Sequence, residues 1–475
     1  MEKEKKNKNK QLIAYIREGK EFTVKQKILL VLYLSVPTIL AQISSIIMQY
    51  IDAAMVGHLG TVESSAIGLM ATSTWLFGSL CTAGVAGFSI QLAQYIGAKN
   101  DRKAREILWQ SYFVCLFIAT VLALIAVVLC PFLPGWLGGG AETCKLARNY
   151  FFVYGCSLPF VALNSLTSSM LQCSGNMLAP GLLECVMCFL DVVLNMLLIF
   201  PSAHYVVGNM KIYLPGADLG VVGASLGTAL SEIIIVGVML YILALRTPML
   251  RLKKSDAYRM KKEDLVRAAK ISLPLAFERF IVCAAQIATT VIVAPLGNVA
   301  LVANSFAITA ESFCYMPGYG IGSAATTLVG QSVGAKREKL ALSFGKITIG
   351  LGMGIMFFTG VLMYVFAPEM MGILSPDPEV QEIGVIILRI EAFAEPLYGA
   401  SIVVAGVLRG AGDTLVPSIL SLVSLWMVRL PLSYTLAKEY GLSGVWIAMC
   451  VELCFRGGIF LIRFVRKKWL RIVQE

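Results

Sequence analysis

Charge is what this sequence lacks most. Only 15% of its 475 residues are Asp, Glu, Lys or Arg, whereas 57% are hydrophobic. A soluble globular chain carries about a quarter charged residues, so that class is excluded. Histidine is nearly missing: His58 and His204 are the two, both in predicted outer loops. No H-E-x-x-H or G-x-S-x-G falls within an apolar block, which argues against an intramembrane enzyme. A phosphate-binding G-x-x-x-x-G-K-S/T loop is also missing, since Gly19-Lys20 and Gly345-Lys346 are followed by Glu and Ile, and this argues against ATP as the driving force. The 12 cysteines lie almost all inside apolar blocks, where a thiol behaves as a small hydrophobe. The CVMC run at 185–188 is mid-helix and Cys144 has no obvious partner, so neither a metal site nor a disulfide framework follows. No cofactor is expected. The polar start MEKEKKNKNK is unlike a secretory signal, and residues 1–28 are expected to stay as a cytoplasmic tail.

What the sequence has is long apolar runs. A span needs about 20 mostly apolar residues to cross roughly 30 Å of hydrocarbon. In lipid the backbone must satisfy its own polar groups, so such runs are α-helices. Twelve are predicted: 29–54, 65–95, 107–131, 146–172, 178–201, 220–246, 267–293, 301–330, 342–367, 379–408, 415–438 and 441–465. The short alternating segments of a membrane barrel are missing. The fold class is therefore all-α integral membrane.

The net charge of +11 is unevenly placed. Lys99, Arg102, Lys103 and Arg105, the stretch from Arg246 to Arg267, Lys336, Arg337 and Lys339, and the tail from Arg466 to Arg471 make basic loops. The loops between them, 58–64, 295–301 and 375–382, are nearly free of basic residues. This alternation is the positive-inside pattern and places both termini in the cytoplasm of a cell-membrane protein. Because the charge follows topology, nucleic acid is not the expected partner.

The chain also repeats itself. A constant offset pairs Pro37 with Pro274, Gly60 with Gly297, Gln94 with Gln331, Lys99 with Lys336 and Gly175 with Gly412. After the fifth span the offset shortens, pairing Gly220 with Gly441, so the first copy carries an extra outer loop at 201–220. The expected organisation is an N-lobe at 29–246, a cytoplasmic linker at 247–266, a C-lobe at 267–465 and a tail at 466–475. Six spans per copy put both copies the same way up, related by a pseudo-two-fold axis along the membrane normal. Duplicated transporters bind substrate between repeats near mid-membrane and rock one against the other.

Three segments carry a resemblance: PTILAQISSIIMQYIDAAMVGHLG at 37–60, MPGYGIGSAATTLVGQSVGA at 316–335, and LRGAGDTLVP at 408–417 with its twin LQCSGNMLAP at 171–180. They resemble the multidrug and toxic compound extrusion family over nearly the whole chain. The resemblance implies two six-helix lobes with an outward-opening cleft. It also implies export of small organic, often cationic, compounds in exchange for H⁺ or Na⁺, and the chain is expected to act as a monomer in the bilayer. The alternative function is a flippase of a lipid-linked precursor, for which Arg279, Arg389, Arg409 and Arg456 would have to supply a basic cavity.

Coupling needs ionisable groups inside the membrane, where a charge costs about 2.5–3.5 kcal/mol on insertion scales. Asp52, in the first span, has Thr289 as its repeat counterpart and matches the family's first-helix aspartate, which the resemblance makes an ion-binding residue. Asp191 and Asn195 are four apart, hence on one helix face, about 18 Å into the fifth span. The family often has these two in the opposite order. Glu278 in the seventh span completes the candidate coupling set, and no metal ion beyond Na⁺ at these residues is expected. Glu311 and Glu395 are candidates for the substrate cavity. Tyr33, Met48, Trp75, Met196, Phe280, Phe313 and Met316 are candidate lining, because Met surfaces are compliant and aromatic faces attract cations. Asn176 and Asp413, in matching turns, are read as helix caps.

Overall fold

The computed structural model describes residues 12–207, 210–253, 256 and 259–473. The N-lobe comprises α1 (Val24–Gly57), α2 (Thr61–Gly97), α3 (Asp101–Leu129), α4 (Ala141–Cys173), α5 (Leu178–Ile199) and α6 (Gly220–Tyr241). The C-lobe comprises α7 (Lys262–Val293), α8 (Asn298–Gly334), α9 (Glu338–Leu374), α10 (Pro378–Glu391), α11 (Glu395–Ala411), α12 (Leu415–Val423) and α13 (Leu430–Val465). The expected linker is thus helical from Lys262 onward.

Ten helical stretches are long and apolar enough to cross a bilayer. The pair α10–α11 is one further span, bent by 59°. The stretch Leu415–Val465 runs for 51 residues, which at about 1.5 Å per residue is more than twice a bilayer core. It is two spans, because the chain reverses at Gly441, where φ is 59° and ψ is −137°. A side chain would strain that backbone, and glycine does not. The twelve expected spans are recovered with this division. A departure lies in the extra loop of the first copy, where β1 (Pro201–Val207) and β2 (Met210–Ala217) form an antiparallel hairpin. The hairpin is the only strand structure among the described residues.

The repeat is visible in the backbone. Left-handed φ values occur in matched pairs: Gly60 and Gly297, Gly175 and Gly412, Gly220 and Gly441, and the non-glycine pair Lys99 (60°) and Lys336 (57°). The last two close identical turns, Gly97-Ala98-Lys99 and Gly334-Ala335-Lys336.

The lobes meet along three lines. α1 crosses α8, its symmetry counterpart α7 crosses α2, and α2 touches α8 near the axis. On the first line Thr38 donates to the Gly320 carbonyl (2.8 Å). On the second, Ser272 donates to Gly84 O (3.1 Å) and accepts from Gly87 N (3.0 Å). On the third, a Cβ on Gly97 would run into the Gln331 carbonyl, and a Cβ on Gly334 into the Gln94 carbonyl. Gln331 Nε2 donates to Cys173 O (2.7 Å) and Gln94 Nε2 to Gly410 O (3.2 Å). Cys173 and Gly410 are themselves repeat counterparts, so the two bonds are two-fold mates. These contacts gather at the end of the molecule that bears the basic loops. Toward the other end, the rings of Tyr50 and Phe313 meet at 5.3 Å.

Candidate functional site

The N-lobe gathers two acids around one amide. Asn195 and Asp191 are fully buried on the inner face of α5. Asn195 Nδ2 donates to Asp191 Oδ2 at 3.0 Å and to Asp52 Oδ1 on α1 at 2.8 Å. Ser231 on α6 reaches Asp191 Oδ1 at 3.5 Å. The four-residue spacing on α5 therefore does what the sequence predicts, and one side chain bridges both carboxylates. Gly227 on α6 makes room for it, since a Cβ there would overlap Asn195 Oδ1. That oxygen is buried without a partner.

Among the described residues no basic side chain contacts Asp52 or Asp191. Two carboxylates against one neutral amide, one fully buried and the other half-buried, repel each other unless a cation or proton compensates. The site calls for a shared proton or a bound cation. Its donors are all oxygens, a set that suits hard cations.

The structure takes Glu278 elsewhere. It accepts from Ser418 (2.9 Å) and Ser421 (3.2 Å) on α12 and lies 3.8 Å from Arg409 on α11. Its ion-pair partner is thus Arg409 rather than the adjacent Arg279.

A second buried cluster lies in the C-lobe. Glu391 and Glu395, both fully buried, flank the α10–α11 bend, and all four of their carboxylate oxygens are without hydrogen-bond partners. Glu311 on α8 is buried near them. Glu452 on α13 is also fully buried; it accepts from Ser424 (2.5 Å) and pairs with Arg456 (3.0 Å). Arg456 lies 5.4 Å over the Tyr398 ring. Nearby, Trp446 Nε1 donates to Asn304 at 3.0 Å.

The candidate lining residues scatter. Trp75, Met196 and Phe280 are exposed, the Phe313 ring meets Tyr50 at a tilt of 31°, and Met316 is half-buried. Met48 is packed into the N-lobe core, and Tyr33 packs beside Leu30 and Phe344 at the basic-loop end. Asn176 caps α5, accepting from Ala179 N at 3.3 Å. Asp413 does not cap: it holds Arg463 at 2.7 Å, because a guanidinium competes better for a carboxylate than a backbone N–H does.

Sequence reasoning missed Glu184, Glu232 and Glu452, all acids inside predicted spans. Glu184 and Glu232 lie within electrostatic range of each other, in the same lobe as Asp191. The rule that selected Asp52 would have selected all three.

Two repeated helical lobes, one seam and buried acids in each lobe define a membrane transporter built by duplication. The MatE family signature matches residues 37–198 and 274–435, one match per lobe, and the chain belongs to this family of transporters. Among relatives, a probable multidrug resistance protein NorM of Thermotoga maritima is 27% identical over 428 residues, covering 88% of each chain. A probable NorM of Bacillus cereus is 25% identical over 469 residues, 96% of this chain and 99% of that one. The fold is also that of the Vibrio cholerae MATE transporter VcmN in its bent form, with a TM-score of 0.83 at 20% identity, covering 95% and 98%. An outward-facing multidrug resistance MATE transporter of the MOP superfamily gives a TM-score of 0.85 at 18% identity, covering 96% and 97%.

Proposed function

We propose that this protein is a multidrug efflux antiporter that exports small organic cations in exchange for H⁺ or Na⁺. The observation that carries the coupling is the Asn195 bridge between Asp52 and Asp191. An ionised pair attracts a cation, and a proton or Na⁺ entering the pair removes that attraction. Competition for one negative site links the two fluxes without ATP. Alternating access follows from two lobes that share one seam. The seam glutamines and the Gly97 and Gly334 contacts lie at the basic-loop end, which the positive-inside rule assigns to the cytoplasm, and this supports an outward-facing reading. Glu311 and Glu395 are then acids of the opposite lobe for cationic substrates, with Trp75, Met196, Phe280, Phe313 and Met316 as adaptable surface, while Glu278 is held by Arg409.

The flippase reading is weakened because Arg409 and Arg456 are each paired with a glutamate. The family membership and relatives named NorM support efflux instead. The decisive experiment is substrate-triggered ion release in liposomes, with Na⁺ and pH gradients imposed separately. Asp52→Asn should abolish gradient-driven ethidium transport while expression persists. Full transport in that variant removes Asp52 from the mechanism.

A further inference from the structure

The N-terminal segment precedes the N-lobe but docks on both lobes. Residues 12–18 are helical, and Gly19, at φ +80°, ends the helix in the left-handed turn typical of helix C-termini. Leu12 and Ile16 are 4% and 0% exposed. They enter a cluster containing Leu34 and Met177 of the N-lobe and Leu328 and Phe344 of the C-lobe. Ile13 lies against Gly175, in the turn between α4 and α5. Arg17 pairs with Asp101 of the N-lobe at 2.6 Å.

The C-lobe grips the same segment from the other side. Arg337 donates to the carbonyls of Tyr15 (3.1 Å) and Lys20 (2.7 Å), and its guanidinium lies 5.9 Å over the Phe22 ring. Phe22 meets Phe344 edge-on at 5.7 Å. The repeat makes Arg337 conspicuous. Its counterpart in the first copy is Asn100, which caps α3 by accepting from Lys103 N. Arg337 occupies the same cap position on α9 and makes no cap bond. A cation is poorly suited to a helix N-terminus and well suited to carbonyls at a helix C-terminus. The residue serves the segment rather than its own helix. The C-terminal tail behaves differently: Trp469 and Leu470 join a cluster whose buried members all belong to the C-lobe.

We infer that residues 12–22 form a strap across the basic-loop ends of both lobes, holding that end closed and releasing for the transporter to open there. Opening would separate Arg17–Asp101 from Arg337 and break the seat of Leu12 and Ile16. The strap rests on the alternating-access reading, but its test does not require transport.

The test is amide hydrogen exchange of the full chain in lipid nanodiscs, comparing wild type, Arg337→Asn and a form lacking residues 1–22. Arg337→Asn installs the cap residue that the repeat itself uses, so α9 should remain folded. The decisive segment is the turn at 92–99, in the lobe to which Arg337 does not belong. Losing a charged contact should speed its exchange about ten-fold or more, together with 329–336. Unchanged protection at 92–99, while residues 12–22 of Arg337→Asn exchange freely, overturns the strap. If the shortened form does not fold, Arg337→Asn decides alone.

Discussion

Gln94 and Gln331 hold opposite lobes by the same bond. Each amide nitrogen reaches a backbone carbonyl across the seam, Gly410 for one and Cys173 for the other. Each glutamine's own carbonyl blocks any side chain at the glycine opposite, Gly334 and Gly97 respectively. Two segments that correspond in the repeat thus meet face to face, each filling the space the other leaves.

Gly97→Ala or Gly334→Ala should therefore prevent the seam from closing. Overpacking costs about 1–3 kcal/mol, and here the cost falls only on the closed state. Accessibility at the seam, read by thiol labelling of the buried Cys173, should rise in both variants to a similar degree. A large effect from one glycine and none from the other would contradict a two-fold seam.

Gly227→Ala should impair coupling without touching a charged residue. The added methyl would displace Asn195 from between Asp52 and Asp191. Transport should fall about ten-fold or more, with protein level preserved. Gly237→Ala, on the same helix with open space around it, is the control and should transport normally. Equal activity in the two variants would show that Asn195 placement is unimportant.

Glu278→Gln should act on stability more than on ion coupling. Both serine hydroxyls keep a partner, but Arg409 loses its counter-charge; a loss of about 1–3 kcal/mol in thermal stability is expected. The ion dependence of the residual transport should match wild type. Loss of ion dependence at unchanged stability would instead place Glu278 in the coupling set with Asp52.

Arg456→Met should cost about 3–5 kcal/mol, because it strands the fully buried Glu452 charge. Pairing it with Glu452→Gln should restore most of the thermal midpoint, since replacing both partners of a buried pair is far gentler than removing one. A double variant no more stable than the single one would mean that the pair is not the stabilising unit.

Much of this architecture is legible in the sequence, for physical reasons. Apolar runs must be helices in lipid, and the register of the repeat brings Gln94 and Gln331 to equivalent places. The four-residue step from Asp191 to Asn195 fixes a shared face. The bend at Glu391–Glu395 and the reversal at Gly441 depend on how neighbouring helices pack, and hydropathy averages over them. The bridge to Asp52 depends on the crossing of α1 and α5, with no local signal. The partners of Glu278, Ser418 and Ser421, lie five helices further along the chain, whereas the adjacent Arg279 is the candidate visible locally. Residues 12–22 read as part of a polar tail because two buried side chains, Leu12 and Ile16, are too few to register as a pattern.

The two seam glutamines differ in one respect. Arg267 donates to Gln94 Oε1 at 2.7 Å, and the matching Gln331 Oε1 is buried with no partner. A symmetric closure thus has a strong stile and a weak one. On opening, the Gln94 side of the seam gives up one more cross-lobe bond than the Gln331 side. Duplication built a door with two matching leaves, and one added arginine makes their edges unequal.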